Sequence, residues 1–284
     1  MTRHLLHIGY PKTATNFLRA WFDAHPQIAF KRGGFAGFGR LPDIASPAAL
    51  SAEPPRLRVS SSELLATPHA EVTRSVRYAR AGEAFVADQA QVCATLAGLF
   101  PNAELLIVTR GFRSMILSSF SQYVRTGGTQ SLAEFAASGH ANGAWHYDRL
   151  ISVYADAFGR ERLILLPWEL LRDRPAAFVA HLETRFGLAP GPMPKERPNQ
   201  ALAPAEIEAQ LRLNRALVRA PGPVATLYAR AAAANRLPLR ALARFGKGEA
   251  VTLDPALLEA YRGGAASLAA DPLFRPYAAD YLFD

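Results

Sequence analysis

HLLHIGYPKTATNFLRAWFDA (residues 4–24) runs an apolar stretch, a glycine-proline-lysine turn and an amphipathic helix together without a break. His4 to Gly9 is short and apolar, the pattern of a buried strand. From Asn16 to Ala24, Phe17, Leu18, Trp21 and Phe22 share one helical face, and Pro26 closes the helix. Between strand and helix stands Gly9-Tyr10-Pro11-Lys12-Thr13-Ala14-Thr15-Asn16. The first backbone amides of a helix lack intrahelical acceptors and carry partial positive charge. A turn at that point therefore cradles phosphate or sulfate oxygens. Lys12 adds a full charge, and Thr13 and Thr15 add hydroxyls. The G-x-x-x-x-G-K-[ST] spacing is absent. Taken alone, the stretch also reads as an ordinary strand-to-helix turn with an incidental lysine.

The same alternation continues along the chain. Leu57 to Ser61 and Glu104 to Thr109 (ELLIVT) read as strands, the latter as one covered on both faces. Arg162 to Leu166 reads as a fourth strand. Helical patterns span Glu83 to Phe100, Phe112 to Arg125, Trp145 to Phe158 and Pro175 to Phe186, the last ending at Gly187. Strands alternating with helices predict an α/β fold, a parallel sheet flanked by helices. Arg32 to Arg40, Thr126 to Gly143 and Ala189 to Pro198 read as loops, on their glycines and prolines. Pro204 to Ala220 and Val224 to Gly246 read as arginine-studded helices. The expectation is a single domain over residues 1–284, with a core at 1–202 and a helical C-terminal part at 203–284.

Composition narrows the function classes. Of 284 residues, 50% are hydrophobic and 20% charged, a globular balance. Cys93 is the only cysteine, which excludes an intramolecular disulfide framework and a cysteine-based zinc site. No stretch approaches the roughly 20 apolar residues that cross a bilayer. The N-terminus reads as a strand and not a signal peptide, so a cytoplasmic protein is expected. The net charge, 32 − 24 = +8, favours anionic ligands. Arginine-rich coding and a solvated basic surface account for the same excess equally well.

A second basic position follows the third strand, in Thr109-Arg110-Gly111-Phe112-Arg113-Ser114-Met115-Ile116-Leu117-Ser118. Ligands of doubly wound sheets bind beyond the carboxyl ends of the strands. Arg110 is therefore expected near the Lys12 turn, able to fork two hydrogen bonds onto a phosphate. Ser118, two helical turns on, offers a hydroxyl. An isolated arginine and serine would more simply pair with a carboxylate and pack.

Together these motifs resemble the sulfotransferases that use 3′-phosphoadenosine 5′-phosphosulfate (PAPS). Their first loop usually reads P-K-[ST]-G-T-[TS], and here it stands as Pro11-Lys12-Thr13-Ala14-Thr15-Asn16. Their arginine with a serine eight residues on matches Arg110 and Ser118. Leu166 to Pro175 (LPWELLRDRP) looks like the family's "YEDLLxDP" segment, and Arg197 to Leu202 (RPNQAL) like its "R-x-N-x-S-L" segment. The resemblance runs from about His4 to Leu202. It implies a P-loop-like sulfotransferase fold and PAPS as donor, with no metal. Pro11 to Asn16 would hold the 5′-phosphosulfate. Arg110 and Ser118 would hold the 3′-phosphate, and Lys195, Arg197 or Asn199 would close over the nucleotide. The acceptor it implies is a hydroxyl or amine on a small molecule or saccharide. The chain departs from the pattern at Ala14 in place of glycine, Asn16 in place of a hydroxyl residue and Ala201 in place of serine.

Sulfuryl transfer is an in-line displacement governed by positioning and charge stabilisation. Lys12 is the expected catalytic cation, and Glu63, just beyond the second strand, the expected general base. Glu63 reads equally well as a helix first-turn residue. His69, His140 and His146 are the next candidates. The resemblance implies that Glu169 anchors the segment after the fourth strand, and His4 and His7 are expected to belong to strand packing. Two other readings remain: a P-loop-like nucleotide-dependent kinase, and a basic binding module built on Arg212, Arg215, Arg219, Arg230, Arg236, Arg240 and Arg244. Nucleic acid is the less favoured partner.

Overall fold

The structure, a computed structural model, describes residues 2–30, 55–63, 65–68, 82–141, 143–194, 202–217, 223, 228 and 253–283. Five strands, β1 (Arg3–Gly9), β2 (Ile28–Phe30), β3 (Leu57–Ser61), β4 (Glu104–Thr109) and β5 (Leu163–Pro167), form one parallel sheet. Their order is β2-β3-β1-β4-β5. Parallel neighbours require crossovers, and helices supply them. These are α1 (Thr15–Ala24), α2 (Gly82–Leu99), α3 (Phe112–Arg125), α4 (Leu132–Ala141) and α5 (Tyr147–Phe158). After β5 follow α6 (Trp168–Asp173), α7 (Pro175–Phe186), α8 (Pro204–Leu217), α9 (Pro255–Glu259) and α10 (Ala278–Tyr281).

The central position of β1 decides where a ligand can sit. β3 pairs with one edge of β1 and β4 with the other. The chain therefore changes sides of β1 between β3 and β4. Such a switch opens a crevice at the carboxyl ends of β1 and β4. Every residue of β4 is buried: Leu105 to Val108 form its apolar run, and Glu104 at its start is paired with Arg3 and, at 2.7 Å, with Arg185. Leu5, Leu6 and Ile8 of β1 are fully buried, with Leu18, Trp21 and Phe22 of α1 against them. Each such side chain contributes about 1.5–3 kcal/mol.

Several boundaries depart from the sequence reading. β2 is a fifth strand, three residues long, where none was expected. Within the stretch read as a loop from Thr126 to Gly143, residues 132–141 form α4. Ser131 and Glu134 cap it reciprocally: Ser131 N–H donates to Glu134 Oε2 (2.7 Å) and Glu134 N–H to Ser131 Oγ (3.2 Å). α5 begins at Tyr147 and not Trp145, because His146 is its N-cap, its Nδ1 accepting from Arg149 N–H at 3.4 Å. His146 is exposed there. Residues 168–173 add the short helix α6.

The C-terminal segment joins the main core. Tyr261, Leu268, Phe274 and Tyr281 are buried in it. α8 is tied to α3 through Asn214 Nδ2, which donates to the carbonyls of Val124 (2.8 Å) and Gly128 (2.6 Å). Arg212 pairs with Glu208, and Arg215 donates to the Thr129 carbonyl at 2.9 Å. These two arginines thus have structural partners. Arg219, Arg230, Arg236, Arg240 and Arg244 lie outside the described residues, as do the Arg32–Arg40 stretch and most of Val224–Gly246.

Candidate functional site

The β1–α1 turn is built against local backbone preference. Lys12 and Ala14 both have left-handed backbone, φ 67° and 64°, with Thr13 between them. Alternating handedness turns successive N–H groups toward one side, an anion-binding concavity. Ala14 is the N-cap of α1 and offers no side-chain acceptor, and no acidic residue occupies the first turn. The amides that open the helix are thus left for a ligand. Thr15 is buried, and its Oγ1 has no hydrogen-bond partner. The Thr13 hydroxyl is spent inside the turn, donating to the Tyr10 carbonyl at 2.5 Å. Asn16 is exposed and Pro11 half-buried.

Ala14 has a measurable cost. A Cβ in the left-handed region costs about 1–2 kcal/mol, and the half-buried methyl returns less than the ~0.8 kcal/mol of a fully buried one. Ala14→Gly is therefore expected to stabilise the protein by roughly 0.5–1 kcal/mol. Urea unfolding measures this, and a lower midpoint in the variant would contradict the assigned turn. Gly9 has no such freedom. A Cβ there would lie 2.8 Å from the Glu63 carbonyl oxygen, and its φ is 128°. Glycine lets the β3 exit loop close on β1, where Ser62 N–H and Ala66 N–H donate to His7 O and Ile8 O, both at 2.9 Å.

Two βα turns meet at the crevice. Arg110, just past β4, donates from Nη1 to the Lys12 carbonyl at 2.9 Å and from Nε to Ser114 Oγ at 2.9 Å. Its guanidinium stacks on Trp168 at 3.8 Å, and the Tyr147 hydroxyl donates to its carbonyl at 2.6 Å. Nη2 carries further donors in the same plane. Lys12 Nζ lies 3.5 Å from Gln122 Oε1. Burial lowers the Lys12 ammonium from its ordinary value, the positive charge of Arg125 adds to that, and Glu63 acts the other way. Glu63, half-buried after β3, is thus an electrostatic neighbour of Lys12.

One face of α3 lines this crevice. Ser114, Ser118, Gln122 and Arg125 recur every three or four residues, the spacing of one helical face. Ser114 touches Arg110 and Gln122 touches Lys12, so Ser118, half-buried, stands between those contacts. The sequence reading paired Arg110 with Ser118 and overlooked Ser114, Gln122, Arg125 and the Trp168 stack. The polar stripe on α3 was the available signal.

Glu169 is fully buried and accepts from Gly111 N–H at 2.9 Å and from the Tyr281 hydroxyl at 3.1 Å. Tyr281 also shares a 3.0 Å hydrogen bond with Thr109. Burial raises the Glu169 carboxyl above its usual value. The residue fixes the Arg110 turn from behind and ties α10 to it. Arg113 is exposed, and His140 is exposed with its ring edge-on to Tyr261. Lys195, Arg197, Asn199 and His69 lie outside the described residues. Among the described residues no group of three or more histidines, cysteines or carboxylates is placed to hold a metal, and no helix is long and apolar enough to cross a membrane.

Fold and site together define a parallel α/β protein with a basic, hydroxyl-lined crevice at the β1–β4 switch. No protein-family model matches the chain, and no curated protein matches it. Among solved structures it is similar to a sulfotransferase from Alicyclobacillus acidocaldarius, known from a crystal structure. The two are 17% identical, with 78% of this chain and 95% of that chain covered and a TM-score of 0.47.

Proposed function

We propose that this chain is a sulfotransferase that moves the sulfuryl group of PAPS to a hydroxyl or amine of a small-molecule or saccharide acceptor. The observation that carries the reading is the meeting of Lys12 and Arg110 at the switch point, joined through the Lys12 carbonyl. One anionic group needs one basic anchor. Two anchors on separate turns, with open amides and Ser118 between, suit a donor charged at both ends.

Bound PAPS supplies a sulfuryl group on a good leaving group, the 5′-phosphate. The turn from Pro11 to Asn16 holds that end through its amides and the unpartnered Thr15 Oγ1. Lys12 faces the oxygen between sulfur and phosphorus and stabilises the negative charge that grows there. Arg110 and Ser118 hold the 3′-phosphate, and Arg197 and Asn199 close over the nucleotide. Glu63 takes the acceptor proton as the acceptor–sulfur bond forms and the sulfur–oxygen bond to phosphate breaks. The reading needs no metal. It takes the chain as one domain, core 1–202 with a helical C-terminal part, working in the cytoplasm.

Titration calorimetry tests the donor assignment. 3′-Phosphoadenosine 5′-phosphate is expected to bind at least about tenfold more tightly than AMP, since a phosphate on a forked arginine is worth about 1.4 kcal/mol or more. Arg110→Met is expected to erase most of that preference. Equal affinity of wild type for the two nucleotides removes Arg110 and Ser118 from the role.

A further inference from the structure

α10 lies directly against the Arg110 turn. A Cβ on Gly111 would stand 2.5 Å from Asp280 Cβ and 2.9 Å from the Asp280 carbonyl oxygen. The Gly111 backbone itself, at φ −52°, is open to any residue. The closeness of α10 is therefore what requires glycine there. Beside Asp280, the buried Tyr281 ring packs against Phe112, Phe274 and Phe283, at centroid distances of 6.4, 5.3 and 5.6 Å.

The Tyr281 hydroxyl closes a short chain of hydrogen bonds around Arg110. Its one proton goes to Glu169 Oε2 at 3.1 Å. The Thr109 hydroxyl, 3.0 Å away, is therefore the donor of the other bond. Glu169 Oε1 in turn accepts from Gly111 N–H at 2.9 Å. These bonds start on the residue before Arg110 and end on the residue after it. Thr109, Glu169 and Tyr281 are all buried, so water does not replace a bond lost among them. Arg110 is committed at its own atoms too. Its carbonyl accepts from Tyr147, its Nη1 donates to the Lys12 carbonyl and its Nε to Ser114. A guanidinium held at two nitrogens aims its Nη2 donors in one direction, provided that the backbone from 109 to 111 stays in place.

We propose that Tyr281 is a positioning residue for the donor: its hydroxyl, through Thr109 and Glu169, fixes the Arg110 backbone and so sets the preference for a 3′-phosphorylated nucleotide. This rests on the sulfotransferase reading, in which Arg110 takes the 3′-phosphate. Tyr281 touches no ligand and acts through Arg110 alone. A guanidinium–phosphate contact needs both partners within about 0.5 Å of their places. AMP has no 3′-phosphate for Arg110 to hold, so its binding does not sense the Tyr281 hydroxyl.

The test is calorimetry with 3′-phosphoadenosine 5′-phosphate and AMP on wild type, Tyr281→Phe and Tyr261→Phe. Phenylalanine keeps each buried ring and removes only the hydroxyl. In Tyr281→Phe the preference for the 3′-phosphorylated nucleotide is expected to shrink by about threefold or more, with AMP affinity unchanged within about twofold. Tyr261→Phe is the control, because its hydroxyl ties the same C-terminal segment to the Ala136 carbonyl of α4, at 2.6 Å, and not to the Arg110 turn. That variant is expected to lower the urea midpoint and keep the wild-type preference. A preference that survives in Tyr281→Phe, or that falls equally in Tyr261→Phe, overturns the positioning role. Should Tyr281→Phe not fold, Thr109→Val removes the other end of the same bond, keeps the side-chain shape and carries the same expected loss. Wild type that binds the two nucleotides equally, or binds neither, overturns the sulfotransferase reading instead, so the two failures are separable.

Discussion

Lys12→Gly is expected to lower sulfuryl-transfer turnover by about a thousandfold, with no loss of folding stability. Removing one preorganised group that stabilises developing charge costs about 10²–10³ in turnover. Lys12 also carries a full charge in a site that burial shields from water, which places its loss at the upper end. Stability runs the other way. The Lys12 backbone is left-handed at φ 67°, a conformation glycine adopts freely and lysine adopts at a cost. The ammonium has the weak 3.5 Å contact with Gln122, and the neighbouring charge of Arg125 repels it. A structural lysine would stabilise the fold, whereas this one is held in a strained, desolvated place. Labelled-donor transfer assays and urea unfolding on the same preparation separate the two effects. Near-normal turnover would falsify the catalytic role, and a large drop in unfolding midpoint would show that Lys12 is structural.

Which parts of the molecule could be read in advance follows from how local their causes are. ELLIVT at residues 104–109 is legible because a strand buried on both faces carries a continuous apolar run, here Leu105 to Val108. β2, at three residues, is too short to show any period, and it is a strand only because β3 lies beside it. α4 was hidden by Gly139 and Gly143, which weigh toward a loop. Gly139 has a tertiary cause: a Cβ there would lie 2.7 Å from the Trp145 ring. The capping residues Ser131 and Glu134 were the stronger local signal. At the site, the closeness of Lys12 and Arg110 follows from strand order and the rule that ligands meet strand ends. The stack of Arg110 on Trp168 and its bond to Ser114 depend on side-chain directions that tertiary packing sets.

The first strand also makes the fold sensitive to acid: its two histidines together are expected to withdraw about 4 kcal/mol of stability between pH 7 and pH 5. His7 is fully buried, its Nδ1 2.8 Å from Ser61 Oγ on β3. Burial, with the charge of Arg19, lowers it to about 3. His4 Nε2 lies 3.0 Å from Ser60 Oγ. Burial, with the charge of Arg58, lowers it to about 4. In the unfolded chain both titrate near the ordinary value of about 6.5. Above that pH both states hold neutral histidines, and the contribution is fully present. As pH falls below it, the unfolded chain takes up two protons that the folded strand refuses, so stability drains until the folded values are reached. Over this window each histidine loses about 2 kcal/mol, a large share of the roughly 5–15 kcal/mol that holds a domain together. Glu169, raised by burial, titrates with the opposite sign and offsets part of the fall. A single substitution isolates the histidine share. His7→Asn keeps a polar partner for Ser61 and has no proton to gain, so its stability should fall by about 2 kcal/mol less than that of wild type over the same window. Urea unfolding at pH 7 and pH 5 reads both slopes. Identical slopes for the two proteins would mean that His7 is not held neutral inside the sheet.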